Sequence, residues 1–107
     1  MPMPRRTKIL ATLGPATDDP EIMRSIIRAG VDVVRLNFSH GEAADHRRRI
    51  QLVRTASAAV GKDVGILGDL QGPKIRIEKF RNGRITLNDG KSFVLDAGMA
   101  DNAGSEE

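Results

Sequence analysis

The sequence has no cysteine, no tryptophan and no tyrosine, and its whole aromatic content is three phenylalanines. Without cysteine there can be no disulfide framework and no thiolate metal site, which agrees with a cytosolic origin. Without aromatics beside its basic residues there is no platform on which bases could stack. No apolar run approaches the ~20 residues needed to span a bilayer. The opening Met1-Pro2-Met3-Pro4-Arg5-Arg6 has no apolar core of the kind a secretory signal carries. What is present is ordinary for a small globular domain: 107 residues, 29% of them charged, with a formal net charge of +3. A chain of this length can hide roughly two-thirds of its unfolded surface. The mild positive charge suits nucleic acid or small anionic substrates. Its densest run, Arg47-Arg48-Arg49, is expected to be a solvated helix face, since consecutive helical residues point in three directions.

The stretch "VVRLNFSHG", residues 33–41, starts as a buried strand and ends in polar chemistry. In steps of two, Val31, Val33, Arg35, Asn37 and Ser39 share one face, and Val34, Leu36 and Phe38 share the other. The second face is apolar throughout. The first turns polar as the strand ends, as it does when the last residues of a strand line a site.

The flanking sequence gives that strand a setting. "TKILATLGP" (residues 7–15) reads as a strand ending at a Gly-Pro turn. Asp18-Asp19-Pro20-Glu21 announces a helix, with an Asp cap, a proline in the first turn and an acid near the positive end of the helix dipole. Ile22, Met23, Ile26 and Ile27 give that helix its apolar stripe, and Gly30 ends it. A second helix is predicted from about Glu42 to Val60, with Ile50, Val53 and Val60 inward and Gly61 as its stop. A third strand is predicted over Val64 to Asp69.

Strand–helix repeats of ~30 residues make parallel sheets. Each strand here ends in a polar or glycine-rich turn: Gly14-Pro15-Ala16-Thr17, then Asn37-Phe38-Ser39-His40-Gly41, then Asp69-Leu70-Gln71-Gly72-Pro73. All three turns therefore lie on one side of the sheet, where barrels and open α/β sheets build their sites. After Pro73 the pattern changes. "KIRIEKF", "RITL" and "SFVL", separated by Asn82-Gly83 and Asn88-Asp89-Gly90, read as a β-meander. The expected domains are thus residues 1–72, the start of a barrel, and 73–107, an incomplete β domain. Three parallel strands cannot close a barrel, and the meander is too short to stand alone. The chain is therefore expected to be the N-terminal piece of a longer protein.

"TKILATLGPAT", "AGVDVVRLNFSHG" and "GDLQGPKIRI" closely resemble, in order and spacing, the N-terminal part of the pyruvate kinase family. "GRITLNDGKSFVLD" is similar to the start of that family's small β domain. The resemblance implies a (β/α)8 TIM barrel interrupted after its third strand by a β domain. It implies a phosphotransferase of glycolysis, moving a phosphoryl group from phosphoenolpyruvate to ADP to give pyruvate and ATP. It also implies a Mg²⁺ requirement, and an enzyme that is usually a cytoplasmic homotetramer. The 107-residue chain alone is expected to be inactive, because the family's catalytic lysine and Mg²⁺ ligands belong to later strands.

Carried over residue by residue, the resemblance makes Arg35 the catalytic and substrate-binding arginine, whose planar fork suits phosphate oxygens. A salt bridge to Asp69 is the purely structural reading of the same residue. Asn37, Ser39 and Asp69 match the monovalent-cation ligands, all of them oxygen donors as a hard cation requires. Asn37, Ser39, His40 and Arg76 match the nucleotide side. Gly41, Gly72 and Pro73 serve backbone geometry, while Lys8, Thr12, Thr17 and His46 receive structural roles.

Potassium-dependent members of the family read Asp-Thr-Lys-Gly-Pro-Glu-Ile-Arg at the third turn. This chain reads Asp69-Leu70-Gln71-Gly72-Pro73-Lys74-Ile75-Arg76, as the potassium-independent branch does. Lys74 is expected to fill the cation pocket with its own charge, so that K⁺ is not required. The rival from another class is a non-catalytic module that binds anions or nucleic acid through the arginine-rich helix. It would be salt-sensitive and would depend on Arg47 to Arg49.

Overall fold

A computed structural model of the chain describes residues 5–73, 75–100 and 103–106. The chain divides into two compact units, residues 1–72 and 73–107. The first unit holds three parallel strands in the order β1 (Leu10–Thr12), β2 (Val33–Asn37) and β3 (Gly65–Asp69). A one-turn 3-10 helix (Pro15–Thr17) and helix α1 (Pro20–Ala29) link the first pair, and helix α2 (Ala43–Val60) links the second.

The helices begin and end where the sequence places them. The Asp19 carboxylate accepts the N–H groups of Glu21 (2.8 Å) and Ile22 (3.1 Å), and so satisfies two donors that the first turn of α1 leaves open. Gly30 and Gly61 are the C-caps of the two helices. The strands are shorter than predicted. β1 runs for three residues inside the nine of "TKILATLGP", where among the described residues it pairs with β2 alone. Its ladder still reaches a little further, with the Leu13 N–H donating to the Arg35 carbonyl at 2.9 Å.

Register sorts the side chains. Thr12 stands opposite Arg35, Arg35 opposite Leu67, and Asn37 opposite Asp69. Val34 and Leu36 point to the other face and are buried with Met23 and Ile27 of α1 and Val53 and Ala56 of α2. Both helices thus cover the same face, and the strands follow one another across the sheet in chain order. A doubly wound sheet reverses its order and puts helices on both faces. A sheet wound in one direction with helices outside is the start of a (β/α)8 barrel, whose interior is the uncovered face. That face shows Leu10 (50% exposed) and Leu67 (42%). At the opposite end of the strands Asp32 binds Arg5 (2.9 Å) and Lys62 (3.3 Å), tying the chain start to the turn before β3. The Ile9 N–H, donated to this carboxylate, is the main reason its pKa lies below the ordinary aspartate value, with Lys62 and Arg5 adding to it.

The second unit departs from expectation. No strand forms among its described residues, and the segments read as a meander carry only an isolated parallel bridge between Phe80 and Gly104. The turns are where the sequence puts them: the Gly83 N–H donates to the Phe80 carbonyl (3.0 Å) and the Lys91 N–H to Asn88 (3.2 Å). The strands between them lack an apolar layer to lie on, as the exposure of Ile77, Leu87, Val94 and Leu95 shows. Isolated two-stranded pairings are marginal in water, so correct turn residues alone do not hold a ladder. Phe80 and Phe93 meet edge to face, with centroids 6.4 Å apart.

Candidate functional site at the strand ends

The C-terminal ends of the three strands converge on one guanidinium. Arg35 leaves β2 toward the uncovered face, donating from Nε to Asp69 Oδ2 at 2.9 Å and again from Nη2 to the same oxygen. Its Nη1 donates to Thr12 Oγ1 at 3.3 Å. The register makes these contacts possible: Thr12 is directly opposite Arg35, and Asp69 is one pleat further along the same face of β3. The ion pair offered as the structural reading of Arg35 therefore exists. It does not exhaust the residue. A guanidinium has five N–H groups, and three are engaged here, which leaves two. The Arg35 side chain is 30% exposed, so those two can meet an anion.

The turn after β2 is built by its own polar groups. Asn37 Oδ1 accepts the Ser39 N–H at 3.0 Å, and the Asn37 carbonyl accepts the His40 N–H at 3.2 Å. This is an Asx turn, in which the side chain of asparagine replaces one backbone carbonyl. Gly41 closes it with φ +74°, a conformation that costs other residues more. The Phe38 N–H donates to the Asp69 carbonyl at 3.0 Å, fastening the turn to the end of β3. Asn37 and Ser39 are half-buried and His40 is exposed. Arg35, Asn37, Ser39, His40 and Asp69 thus lie at one end of one sheet.

Two expected residues belong to the second unit. Arg76 is exposed in the second unit. Lys74, expected in the cation pocket, lies outside the described residues. Among the described residues no group of three or more His, Cys, Asp and Glu side chains converges as a metal site would require.

Three side chains matter more than the sequence reading allowed. Thr12, given only a structural role, holds one arm of Arg35. His46 is buried at 5% exposure against Phe38. Arg49, read as part of a solvated face, is 8% exposed and turned inward. It grips Asp18 with Nε to Oδ1 at 2.7 Å and Nη2 to Oδ2 at 3.0 Å. The Arg49 hydrogen bonds hold the Asp18 carboxyl below the ordinary aspartate range, and Asp18 raises the Arg49 pKa in turn. Of the triplet, Arg47 and Arg48 face solvent, and Arg48 pairs with Asp45 at 2.8 Å. Helical periodicity is the physical reason: position 49 falls on the inner stripe, four residues before Val53.

Known proteins share this fold. The family described as the pyruvate kinase barrel domain matches residues 4–107. The chain is 52% identical over 103 residues to pyruvate kinase II of Salmonella typhimurium, covering 96% of this chain and 22% of that protein. It is also 52% identical over 103 residues to the pyruvate kinase of Haemophilus influenzae, again with 96% and 22% coverage. The crystal structure of Cryptosporidium parvum pyruvate kinase superimposes with a TM-score of 0.82 at 36% identity, over 96% of this chain and 21% of that one. The chain therefore spans about a fifth of the length of the relatives it matches. No helix among the described residues is long and apolar enough to cross a membrane. With a family model over residues 4–107, relatives half identical over nearly the whole chain and a shared fold, the chain belongs to the pyruvate kinase family, in its barrel domain.

Proposed function

We propose that this chain is the N-terminal segment of a cytoplasmic pyruvate kinase that transfers the phosphoryl group of phosphoenolpyruvate to ADP, giving pyruvate and ATP. The observation that carries the reading is Arg35, fixed across three strand ends with two N–H groups left over. Phosphoryl transfer asks a protein mainly to position anions and to neutralise the charge that spreads over the transferring group. A guanidinium braced on both sides does this without reorganising. Arg35 is thus the catalytic and substrate-binding residue of this segment, and Thr12 and Asp69 position it. Asn37, Ser39, His40 and Arg76 serve the nucleotide. Mg²⁺ would neutralise phosphate charge in the complete enzyme, held by side chains this chain does not contain. The full-length protein is a homotetramer, and the chain alone is inactive.

The monovalent-cation pocket belongs to the same proposal. Asn37, Ser39 and Asp69 bring oxygens to neighbouring strand ends, and part of that capacity is already spent on the Ser39 N–H and on Arg35. The lysine at position 74 supplies the positive charge, and the enzyme needs no K⁺. The rival built on the arginine triplet loses ground here, because Arg49 is committed to Asp18.

One assay tests both halves. The full-length protein carrying this segment should turn over phosphoenolpyruvate and ADP with Mg²⁺ in buffer free of K⁺ and NH₄⁺, and added K⁺ should change the rate little. Arg35→Lys keeps the charge and loses the fork, at a cost of about 3 kcal/mol of transition-state stabilisation, or over a hundredfold in kcat. Near-normal turnover by the variant would reject the role of Arg35. A wild type silent until K⁺ is added would reject the internal cation.

A further inference from the structure

The ring of Phe38 and the imidazole of His46 have no part in the reading above. His46 stands in the first turn of α2, 5% exposed, and neither ring nitrogen has a hydrogen-bond partner among the described residues. An imidazole always carries at least one N–H donor, and burying such a group unpaired costs about 1–3 kcal/mol. A histidine held at that cost calls for an explanation in what its ring touches. It touches Phe38, with ring centroids 4.6 Å apart and planes inclined at 46°.

The Phe38 ring has a second neighbour. A Cβ on Gly68 of β3 would stand 2.8 Å from Phe38 Cε2, so the glycine leaves open the seat the ring takes. The Phe38 side chain, still 37% exposed, therefore lies between His46 of α2 and Gly68 of β3, while its N–H is bonded to the Asp69 carbonyl. The far end of the turn lies near the same residues: a Cβ on Gly41 would stand 3.5 Å from Asp45 Oδ2 and 3.7 Å from His46 Cε1. One imidazole thus touches the turn at residue 38 and stands near it at residue 41. The polar groups of Asn37, Ser39 and His40 lie between these points.

We infer that His46 is a positioning residue: through Phe38 it clamps the Asn37–Gly41 turn onto β3 and so sets the nucleotide-side groups. The assignment of those groups to the nucleotide rests on the proposed function. Arg35 is held by the side chains of Asp69 and Thr12, whereas the clamped turn meets Asp69 through its backbone carbonyl, so the clamp acts first on the nucleotide half of the site. This separation gives the inference a signature that a general loss of folding would not give.

The experiment is steady-state kinetics on the full-length protein carrying this segment, for wild type, His46→Ala, His46→Phe and Phe38→Leu, with amide hydrogen exchange at Ser39 and His40. His46→Ala removes the ring and should raise KM for ADP about tenfold, with KM for phosphoenolpyruvate changed by no more than about twofold. Phe38→Leu should show the same split. His46→Phe keeps a ring and discards the unpaired nitrogens, so it should stay close to wild type. Exchange at the Ser39 and His40 amides, which bond to Asn37, should quicken in His46→Ala and not in His46→Phe. Equal changes in both KM values, no change in either, unaltered exchange, or a Phe variant as damaged as the Ala variant would each overturn the clamp. A wild type without turnover would instead overturn the proposed reaction, and the exchange measurement would still judge the clamp.

Discussion

Arg49 and Arg47 sit two positions apart in the same run of like residues, and one is buried while the other is solvated. The difference is the helix angle alone. Arg49 spends its charge on Asp18 with two hydrogen bonds, side chains 10% and 30% exposed, a setting between a surface ion pair worth ~0–1 kcal/mol and a buried one that costs ~3–5 kcal/mol to break. Arg49→Met should therefore lower the opening free energy of the α1 and α2 amides in hydrogen exchange by about 1–2 kcal/mol at neutral pH. The sign of the pH dependence follows from Asp18, whose folded pKa is depressed. Its contribution is complete above the unfolded carboxyl pKa of about 3.9 and is lost as pH falls through the lower folded value. The gap between wild type and Arg49→Met should therefore narrow as pH falls below the ordinary aspartate range, and a gap that stays constant into acid would refute the pairing as its cause. By residue type the triplet suits a solvated face and His46 a generic structural role. Yet Ile50, Val53 and Val60 mark the inner stripe of α2 in the sequence itself, and His46 and Arg49 stand four residues before Ile50 and Val53. The signal was present in the periodicity and was overridden by residue type.

At the scale of elements, the helices were legible and the strands of the second unit were not. Helix ends are decided locally. Asp19, Pro20, Gly30 and Gly61 act within a few residues of themselves, so their meaning survives any tertiary context. Asp19→Ala should accordingly lower the opening free energy of the α1 amides by about 1 kcal/mol, with little effect on the amides in the middle of α2. An effect spread evenly over both helices would mean that Asp19 acts through packing and not as a cap. Strands are decided by what they pair with. β2 forms because β1 and β3 flank it, and both parallel pairings join residues more than twenty positions apart. "KIRIEKF" and "SFVL" have the composition of strands and the turns of a meander, but no apolar layer covers them. The candidate site divides the same way. Its residues could be named from the polar end of one strand and a family resemblance. That Thr12 would brace Arg35 depended on the pairing register of β1 with β2, which no local pattern fixes.

The whole first unit is one-sided. Its helices cover one face of the sheet, while the other leaves Leu10 and Leu67 half in water around the Arg35–Asp69 pair. Among the described residues β1 and β3 each have a sheet partner on one side, and an unpaired edge is a template for another strand. In a closed barrel the same face is the packed interior, and each edge gains a neighbour. The features that suit these residues to a barrel therefore make the 107-residue chain a poor protein by itself. We expect it to bind apolar dyes, to associate with rising concentration, and to protect its strand amides weakly, while showing no turnover of phosphoenolpyruvate and ADP. Replacing Leu67 by Ser should reduce the association, since that side chain lies on the open face and not in the helix-covered core. Sedimentation across a concentration series, run beside hydrogen exchange and a coupled pyruvate assay, separates the outcomes. A monodisperse monomer with strongly protected strands would refute the account of the open face. Turnover above background would refute the assignment of essential chemistry to strands outside this chain.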